Sequence, residues 1–325
     1  MQTRPPGIDD RDVLAAVVAG WGIPVVTSTY LPVGFGSHHW EVCDGDGNRW
    51  FTCVDAIPAY ADAQALRSGP LAAALALATH ARDAGVECVV APLPTSAGGP
   101  VVALGEWHAL TVYPHVDGEA FRFSDSLSAP ESAELLDGLT SLHAVELPPQ
   151  GGRHEDFVLA RHEELETLSP GHGVFADRLR EFVGQHRAHV QRGLRQHDAL
   201  VAAAGPQDGR LVITHGEPHP ANVLRTAHGL RLVDWETALI APPERDLWHL
   251  STTRGTDAGS VAAAYAERTG QVLLPELLAL YDLDWLLADI GEYVAMLGAA
   301  TAETADTAWS WDALVESTRA LAARI

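Results

Sequence analysis

Hydrophobic and polar positions change period several times along the chain, and each change predicts an element. Behind an acidic cap, Val13, Leu14, Val17 and Val18 recur at helical spacing, which predicts an amphipathic helix over Asp9–Ala19. Pro24–Val33, His38–Cys43 and Arg49–Asp55 are β-rich runs, with Asp44-Gly-Asp-Gly-Asn48 as a hairpin turn. Pro70–Ala84 returns to helical spacing. Glu87–Leu93, Val101–Leu104 and Ala109–Val116 read as further strands. Residues 1–116 therefore predict a five-stranded, mostly antiparallel sheet with helices.

Beyond Gly118 the pattern becomes helical. Ser128-Ala-Pro-Glu131 is a capping box ahead of Leu135, Leu136, Leu139 and Leu142. Glu155–Thr167 and Ala176–Ala204 are long helical patterns. The remainder, 244–325, is helical again, with breaks near Gly270 and over 300–307. One stretch interrupts the helices: Leu211–Glu236, LVITHGEPHPANVLRTAHGLRLVDWE. It reads as strand, polar loop, strand, a turn at His228-Gly229, and a strand ending on Asp234. The pattern predicts an α+β protein of two lobes, a β-rich one over 1–116 and a helical one over 117–325 that contains this hairpin.

Composition narrows the class. A chain of 325 residues with 47% hydrophobic content can bury a large core. No apolar run reaches membrane-spanning length, and MQTRPPGIDD lacks the apolar region of a secretory signal. Cys43, Cys53 and Cys88 match no zinc spacing, and so sparse a set suits a reducing, cytoplasmic setting. The net charge of −22 argues against a nucleic-acid partner and suits either a cationic small molecule or plain solubility. Monomer and homodimer are equally compatible. Every positive side chain is arginine; the chain has no lysine.

The hairpin brings a carboxylate (Glu217), an amide (Asn222) and a second carboxylate (Asp234) to one edge. Phosphoryl transfer is built from such parts: a residue that orients the attacking hydroxyl, and an Asn and an Asp that hold Mg²⁺. Leu31-Pro-Val-Gly-Phe-Gly-Ser-His-His-Trp40 places Gly34 and Gly36 between two strands, where backbone amides can cradle phosphates. Asp246, in Pro242-Pro-Glu-Arg-Asp-Leu-Trp248, is placed to cap a helix or to brace the catalytic-loop backbone. Two other readings fail on local chemistry. Asp44–Asp55 resembles a calcium loop, but Arg49 stands where glycine is needed. His215 and His219 have zincin spacing, but Pro218 and Pro220 oppose the helix that pairing requires; His215 is expected to pack beneath the loop.

Taken in order, GFGSHHW, RWFTCVDA, LTVYPHVDG, HGEPHPANVL, LVDWE and PPERDLW resemble the aminoglycoside phosphotransferase family and its choline-kinase-like relatives. The likeness is nearest to actinomycete antibiotic kinases with His-Gly-Glu-Pro-His-Pro in the catalytic loop. The resemblance implies a bilobal protein-kinase-like fold that moves the γ-phosphate of ATP or GTP, with Mg²⁺, onto a hydroxyl of an aminoglycoside- or nucleoside-type antibiotic. It implies Glu217 as the catalytic carboxylate and Asn222 and Asp234 as magnesium ligands. It further implies Gly34, Phe35, Gly36 and Ser37, with His38, as the phosphate loop, and Tyr113, His115 and Val116 as the hinge against the base.

The chain departs from that family at three places. The catalytic Asp is Glu217, one methylene longer. The phosphate-binding lysine aligns with Cys53, leaving His38, His39 and Arg49 as replacement candidates by position. The helix Pro70–Ala84 has no mid-helix Glu. An acceptor site is expected on the C-terminal helices facing Glu217, with Asp282, Asp284, Trp285, Asp289, Glu292 and Tyr293 as candidates and Trp309, Trp311 and Asp312 as a further aromatic-acidic cluster. With the lysine missing, a catalytically weak nucleotide- or ligand-binding protein is the alternative, and a metal-dependent hydrolase is a more distant one.

Overall fold

The computed structural model describes residues 1–57, 66, 68–149, 154–157, 159, 162–207, 209–252 and 258–325. Helix α1 (Asp10–Trp21) starts at a reciprocal capping box between Asp9 and Asp12 and stops at Gly22, whose φ of 69° only glycine adopts without strain. Five strands follow: β1 (Val25–Leu31), β2 (His38–Asp44), β3 (Arg49–Ala56), then, after α2 (Pro70–Asp83), β4 (Val101–Leu104) and β5 (His108–Pro114). They form one sheet of order β1-β2-β3-β5-β4, antiparallel at every pair. In the β2–β3 turn, Asp44 Oδ1 accepts from the amides of Asp46 and Asn48, both at 2.9 Å. That carboxylate builds a turn.

The strand expected over Glu87–Leu93 does not form. Val90 N donates to Leu232 O at 3.0 Å and Leu232 N to Cys88 O at 2.6 Å, a single parallel bridge to the hairpin. Pro92 and Pro94 lack the amides that a longer ladder needs.

Strand alternation gives the sheet two functions. Trp40, Val42, Val54, Leu110 and Val112 face α1 and pack on Val13 and Val17. The opposite face carries His39, Phe51, Cys53, Asp55, Thr111 and Tyr113, placed together by the registers His39↔Cys53 and Cys53↔Thr111. Phe51, Cys53 and Tyr113 on that face join the largest core cluster, which continues into the helical part through Leu139, Ile213, Leu232 and Trp235.

The helical part comprises β6 (Glu119–Ala120), α3 (Ala129–His143), α4 (His162–Thr167), α5 (Ala176–Ala204), β7 (Val212–Thr214), β8 (Val223–Thr226), β9 (Gly229–Leu232), β10 (Leu239–Ala241), α6 (Glu244–Thr252), α7 (Ala258–Thr269), α8 (Pro275–Ala299) and α9 (Ala305–Arg324). β8 and β9 form the expected hairpin, extended by β6, while β7 pairs with β10. Of the helix expected over Glu155–Thr167, only α4 is helical: Glu155 N instead donates to Ile240 O at 2.8 Å, and residues 158, 160 and 161 lie outside the described ones. A second core joins α5, α8 and α9 through Leu179, Leu287 and Leu314. The architecture is α+β, a sheet-bearing N-terminal region on a helical C-terminal one. Among the described residues no helix is long and apolar enough to cross a membrane.

Candidate active site

The loop between β7 and β8 is held from below by one buried carboxylate. Asp246, at the start of α6, accepts from the amides of His215 (3.0 Å) and Gly216 (2.6 Å) and from His143 Nε2 (3.0 Å). Burial alone would raise its pKa; the His143 hydrogen bond and the loop amides outweigh burial and hold it below the usual carboxylate range. Gly216 has φ +100°, and a Cβ there would meet the Arg245 guanidinium. His215 is fully buried: its Nε2 donates to Val233 O (2.8 Å), and its Nδ1 accepts from Glu217 N (3.2 Å). Both ring nitrogens are thereby engaged in fixing the loop, and burial holds the ring neutral by lowering its pKa. Among the described residues no three His, Cys, Asp or Glu side chains converge as a metal cage.

After the loop, a 3₁₀ turn over Pro220–Asn222 swings Asn222 back, and its Nδ2 donates to Glu217 O at 3.0 Å. This leaves the Oδ1 lone pairs for a cation. Asp234 follows β9 with φ +67°, a left-handed conformation that a non-glycine residue holds only against strain. Glu217, Asn222 and Asp234 all line a cavity of about 810 Å³. Burial pushes the pKa values of Glu217 and Asp234 upward; Arg245 partly offsets this at Glu217, while Glu217 and Asp55 add to it at Asp234.

The same cavity is walled on the sheet side by Gly34, Phe35, Gly36, Ser37 and His39. Phe35 reaches across to the helical part, with its ring 4.2 Å from Trp309 and 5.7 Å from Tyr293. His38 points to the other face, its Nδ1 at 3.3 Å from Tyr30 Oη, while His39 shares the cleft face with Cys53 and stacks on Phe51 at 5.0 Å. Burial lowers the His39 pKa to about 4, so the ring is neutral at pH 7. Cys53 faces Asp55, Glu236 and Asp234, and burial raises its thiol well above the ordinary range. Tyr113 is buried beside the same carboxylates. His115 sits between Glu41 (3.3 Å) and Asp117 (3.6 Å), and Val116 lines a separate cavity of about 470 Å³. Arg49 pairs with Asp117 at 2.6 Å, away from the cleft.

On the helical side the structure brings Trp285, Asp289 and Tyr293 into the cavity, with Phe123 and Trp285 nearly parallel at 5.7 Å. Asp282 forms an ion pair with Arg324, whose side chain lines the cavity; Glu292 is not among the lining residues. Six carboxylates line the space, those of Glu217, Asp234, Glu236, Asp289, Asp306 and Glu316, against the single guanidinium of Arg324 among the described residues. Sequence reasoning missed Glu236, Asp55 and Phe123. Asp55 follows Cys53 by two on β3, so strand alternation could have found it; Glu236 lies in a turn beyond β9 and the Phe123 contact is purely tertiary, so neither carries a local signal.

Comparison with known proteins points the same way. The chain matches the phosphotransferase enzyme family over residues 31–283. It is 30% identical over 250 residues to protein StrN of Streptomyces griseus, covering 71% of this chain and 72% of the relative. Its fold is similar to that of a spectinomycin phosphotransferase solved with ADP and spectinomycin: TM-score 0.73, 17% identity, 98% of this chain and 99% of that one. It is also similar to a microcompartment-associated aminopropanol kinase: TM-score 0.63, 16% identity, 96% and 97% covered.

Two outcomes follow from the geometry. Asp246→Ala orphans two buried amides and His143, so it is expected to cost about 3 kcal/mol or more of stability in equilibrium urea denaturation. Asp289 is pushed from 3.8 up to about 7, by burial first and Glu217 second. Between those values the folded state keeps a proton that the unfolded state has released, so stability falls as pH rises across the window. Asp289→Asn should flatten that fall and raise Tm at pH 8 by roughly 2 °C or more. Identical pH slopes for the two proteins would exclude Asp289 as the source.

Proposed function

The chain belongs to the phosphotransferase enzyme family, and we propose that it moves the γ-phosphoryl group of ATP or GTP, with Mg²⁺, onto a hydroxyl of a cationic, amine-bearing small molecule of the aminoglycoside type. The observation that carries this reading is the shared cavity: Glu217, Asn222 and Asp234 meet the glycine loop on one side and an acidic, aromatic wall on the other. A nucleotide and an acceptor entering from the two sides would meet at Glu217.

Asn222 Oδ1 and the Asp234 carboxylate suit Mg²⁺, which takes few protein ligands and completes its shell with water and phosphate oxygens. When bound, the ion supplies charge neutralisation at the transferring phosphate. Glu217 accepts a hydrogen bond from the acceptor hydroxyl and orients its oxygen; a raised pKa brings this base nearer to neutral pH, where general bases work best. Asp289 and Glu316 attract ammonium groups, and Phe123, Trp285 and Trp309 offer faces to rings and cations. The names of the structural neighbours agree in kind: spectinomycin, aminopropanol and ethanolamine each carry an amine and a hydroxyl. The ADP complex of the first favours an adenine donor. An antibiotic acceptor makes the enzyme a resistance factor.

A screen of aminoglycosides, nucleoside antibiotics and amino alcohols with ATP and with GTP, read by mass spectrometry, identifies the acceptor. With that acceptor, Glu217→Gln is expected to lower kcat about 100-fold or more, and Asp234→Asn to abolish turnover with the fold intact. Wild-type rates in Asp234→Asn would overturn the assignment. Activity should rise with pH along an acid limb set by Glu217, above the ordinary carboxylate range, and Glu217→Gln should remove that limb. Nucleotide-induced thermal stabilisation without any product would instead favour a binding protein.

A further inference from the structure

Above Asp234 lies a cluster that the reaction described so far does not use. Ser37 Oγ, on the glycine loop, is within hydrogen-bond distance of two carboxylates: Oδ1 of Asp55 on β3, and Oε1 of Glu236 at 3.0 Å. One hydroxyl carries one proton and can donate to only one of them. The other oxygen of Asp55, Oδ2, is buried with no hydrogen-bond partner, on a residue only 7% exposed. Thr111 Oγ1, fully buried beside Cys53 across the β3–β5 ladder, likewise has none. Among the described residues, neither Asp55 nor Glu236 has an ion-pair partner; besides the Ser37 bonds, their carboxyl groups lie within hydrogen-bond reach of each other, with His108 acting on Asp55 and Asp234 on Glu236. Buried carboxylates without a counter-charge are costly.

Among the described residues, His108 faces Asp55 with an ionisable ring, but burial disfavours its charged form. Cys53 and Asp55 project from the same face of β3, so a lysine at position 53 would deliver an ammonium into this cluster. The chain contains no lysine. His39, the cleft-facing neighbour of Cys53, is neutral, and Arg49 is engaged at the far end of the strand with Asp117 and Glu41.

We propose that Asp55, Glu236 and Ser37 form a second divalent-cation site, distinct from the Asn222–Asp234 pair, whose ion takes the place of the phosphate-binding ammonium missing at Cys53. Because among the described residues no three acidic, histidine or cysteine side chains close on one point, the protein supplies two carboxylates and a hydroxyl. Water and donor phosphate oxygens fill the remaining positions, which suits Mg²⁺ or Mn²⁺. The ion ties the glycine loop to β3 and to the segment after Asp234, and so links closure of the loop to cation binding. Its action on phosphates rests on the phosphoryl-transfer reading; the site itself does not.

The test counts Mn²⁺ alone, without nucleotide, by the electron paramagnetic resonance signal of the free ion, in the wild type and in Asp55→Asn, Glu236→Gln, Cys53→Lys and Asp234→Asn. The first three are expected to bind one ion fewer than the wild type while keeping the Asn222–Asp234 ion, with folding checked by circular dichroism. Cys53→Lys should also melt higher than the wild type in metal-free buffer, because its ammonium neutralises the cluster. An unchanged ion count in both Asp55→Asn and Glu236→Gln would overturn the site, the cluster then holding only a proton or water. A count that falls by one in these variants, in a protein that phosphorylates nothing, would leave the site standing and remove the kinase reading instead.

Discussion

The geometry of the cleft depends on one buried carboxylate. Asp246 has no exposed surface, and its two oxygens take three donors from three places: the His215 amide, the Gly216 amide and the His143 ring. With that clamp in place the loop has little freedom. Gly216 takes a backbone angle closed to other residues, with Arg245 filling the room a side chain would need. Glu217 then leaves the loop toward the cavity, and the amide of Asn222 returns to the Glu217 carbonyl. Arg245 is itself fixed by Thr214 Oγ1 at 3.0 Å and the Thr237 carbonyl at 2.8 Å. The positions of the proposed catalytic groups are thus set from beneath, by Asp246, His143 and Arg245, none of which lines the cavity.

The opposite wall is governed by charge. Asp234 and Glu217 are buried near each other, and Glu236 and Asp55 follow immediately above. Desolvation raises all four; like-charged neighbours raise Asp234 and Glu236 further, while Arg245 opposes the rise at Glu217, and the Glu236 and Ser37 hydrogen bonds oppose it at Asp55. Such a wall is unfavourable when empty and becomes favourable when cations arrive, so the cleft is built to bind positive charge rather than merely to tolerate it. The negative charge of the whole chain points the same way at long range, but these local carboxylates, in low dielectric, set the strength.

Much of this was legible in the sequence wherever local chemistry decides it. The capping boxes at Asp9 and Ser128, the hairpin after Asn222 and the limits of α5 all follow from spacing and cap residues. The strand expected at Glu87–Leu93 failed because apolar content alone ignored two prolines. The choice between His38 and His39 is a matter of pleat: adjacent residues face opposite sides, and only the register with Cys53 shows which one faces the cleft. The ion pair of Asp282 with Arg324 joins residues far apart in sequence, a contact that helical periodicity does not report.

Phe35 connects the two walls. It leaves the glycine loop, which is anchored to Asp55 and Glu236 through Ser37, and rests on Trp309 and Tyr293 of the helical part. Asp306, at the start of the same α9, accepts from the amides of Gln2 (2.6 Å) and Thr3 (2.9 Å), while Gln2 Nε2 donates to Pro32 O at 3.0 Å just ahead of the glycine loop. The loop is therefore held on both sides of the cleft, by the carboxylates of Asp55 and Glu236 on one and by the aromatic rings of the helical part on the other. A change at either end shifts the balance of the other, because one short glycine-hinged segment carries both contacts. Glycines at φ +69° and +86° on either side of Phe35 let the segment pivot without strain. The phenylalanine between them turns its ring against Trp309 and Tyr293 and so ties the hinge to the helical part.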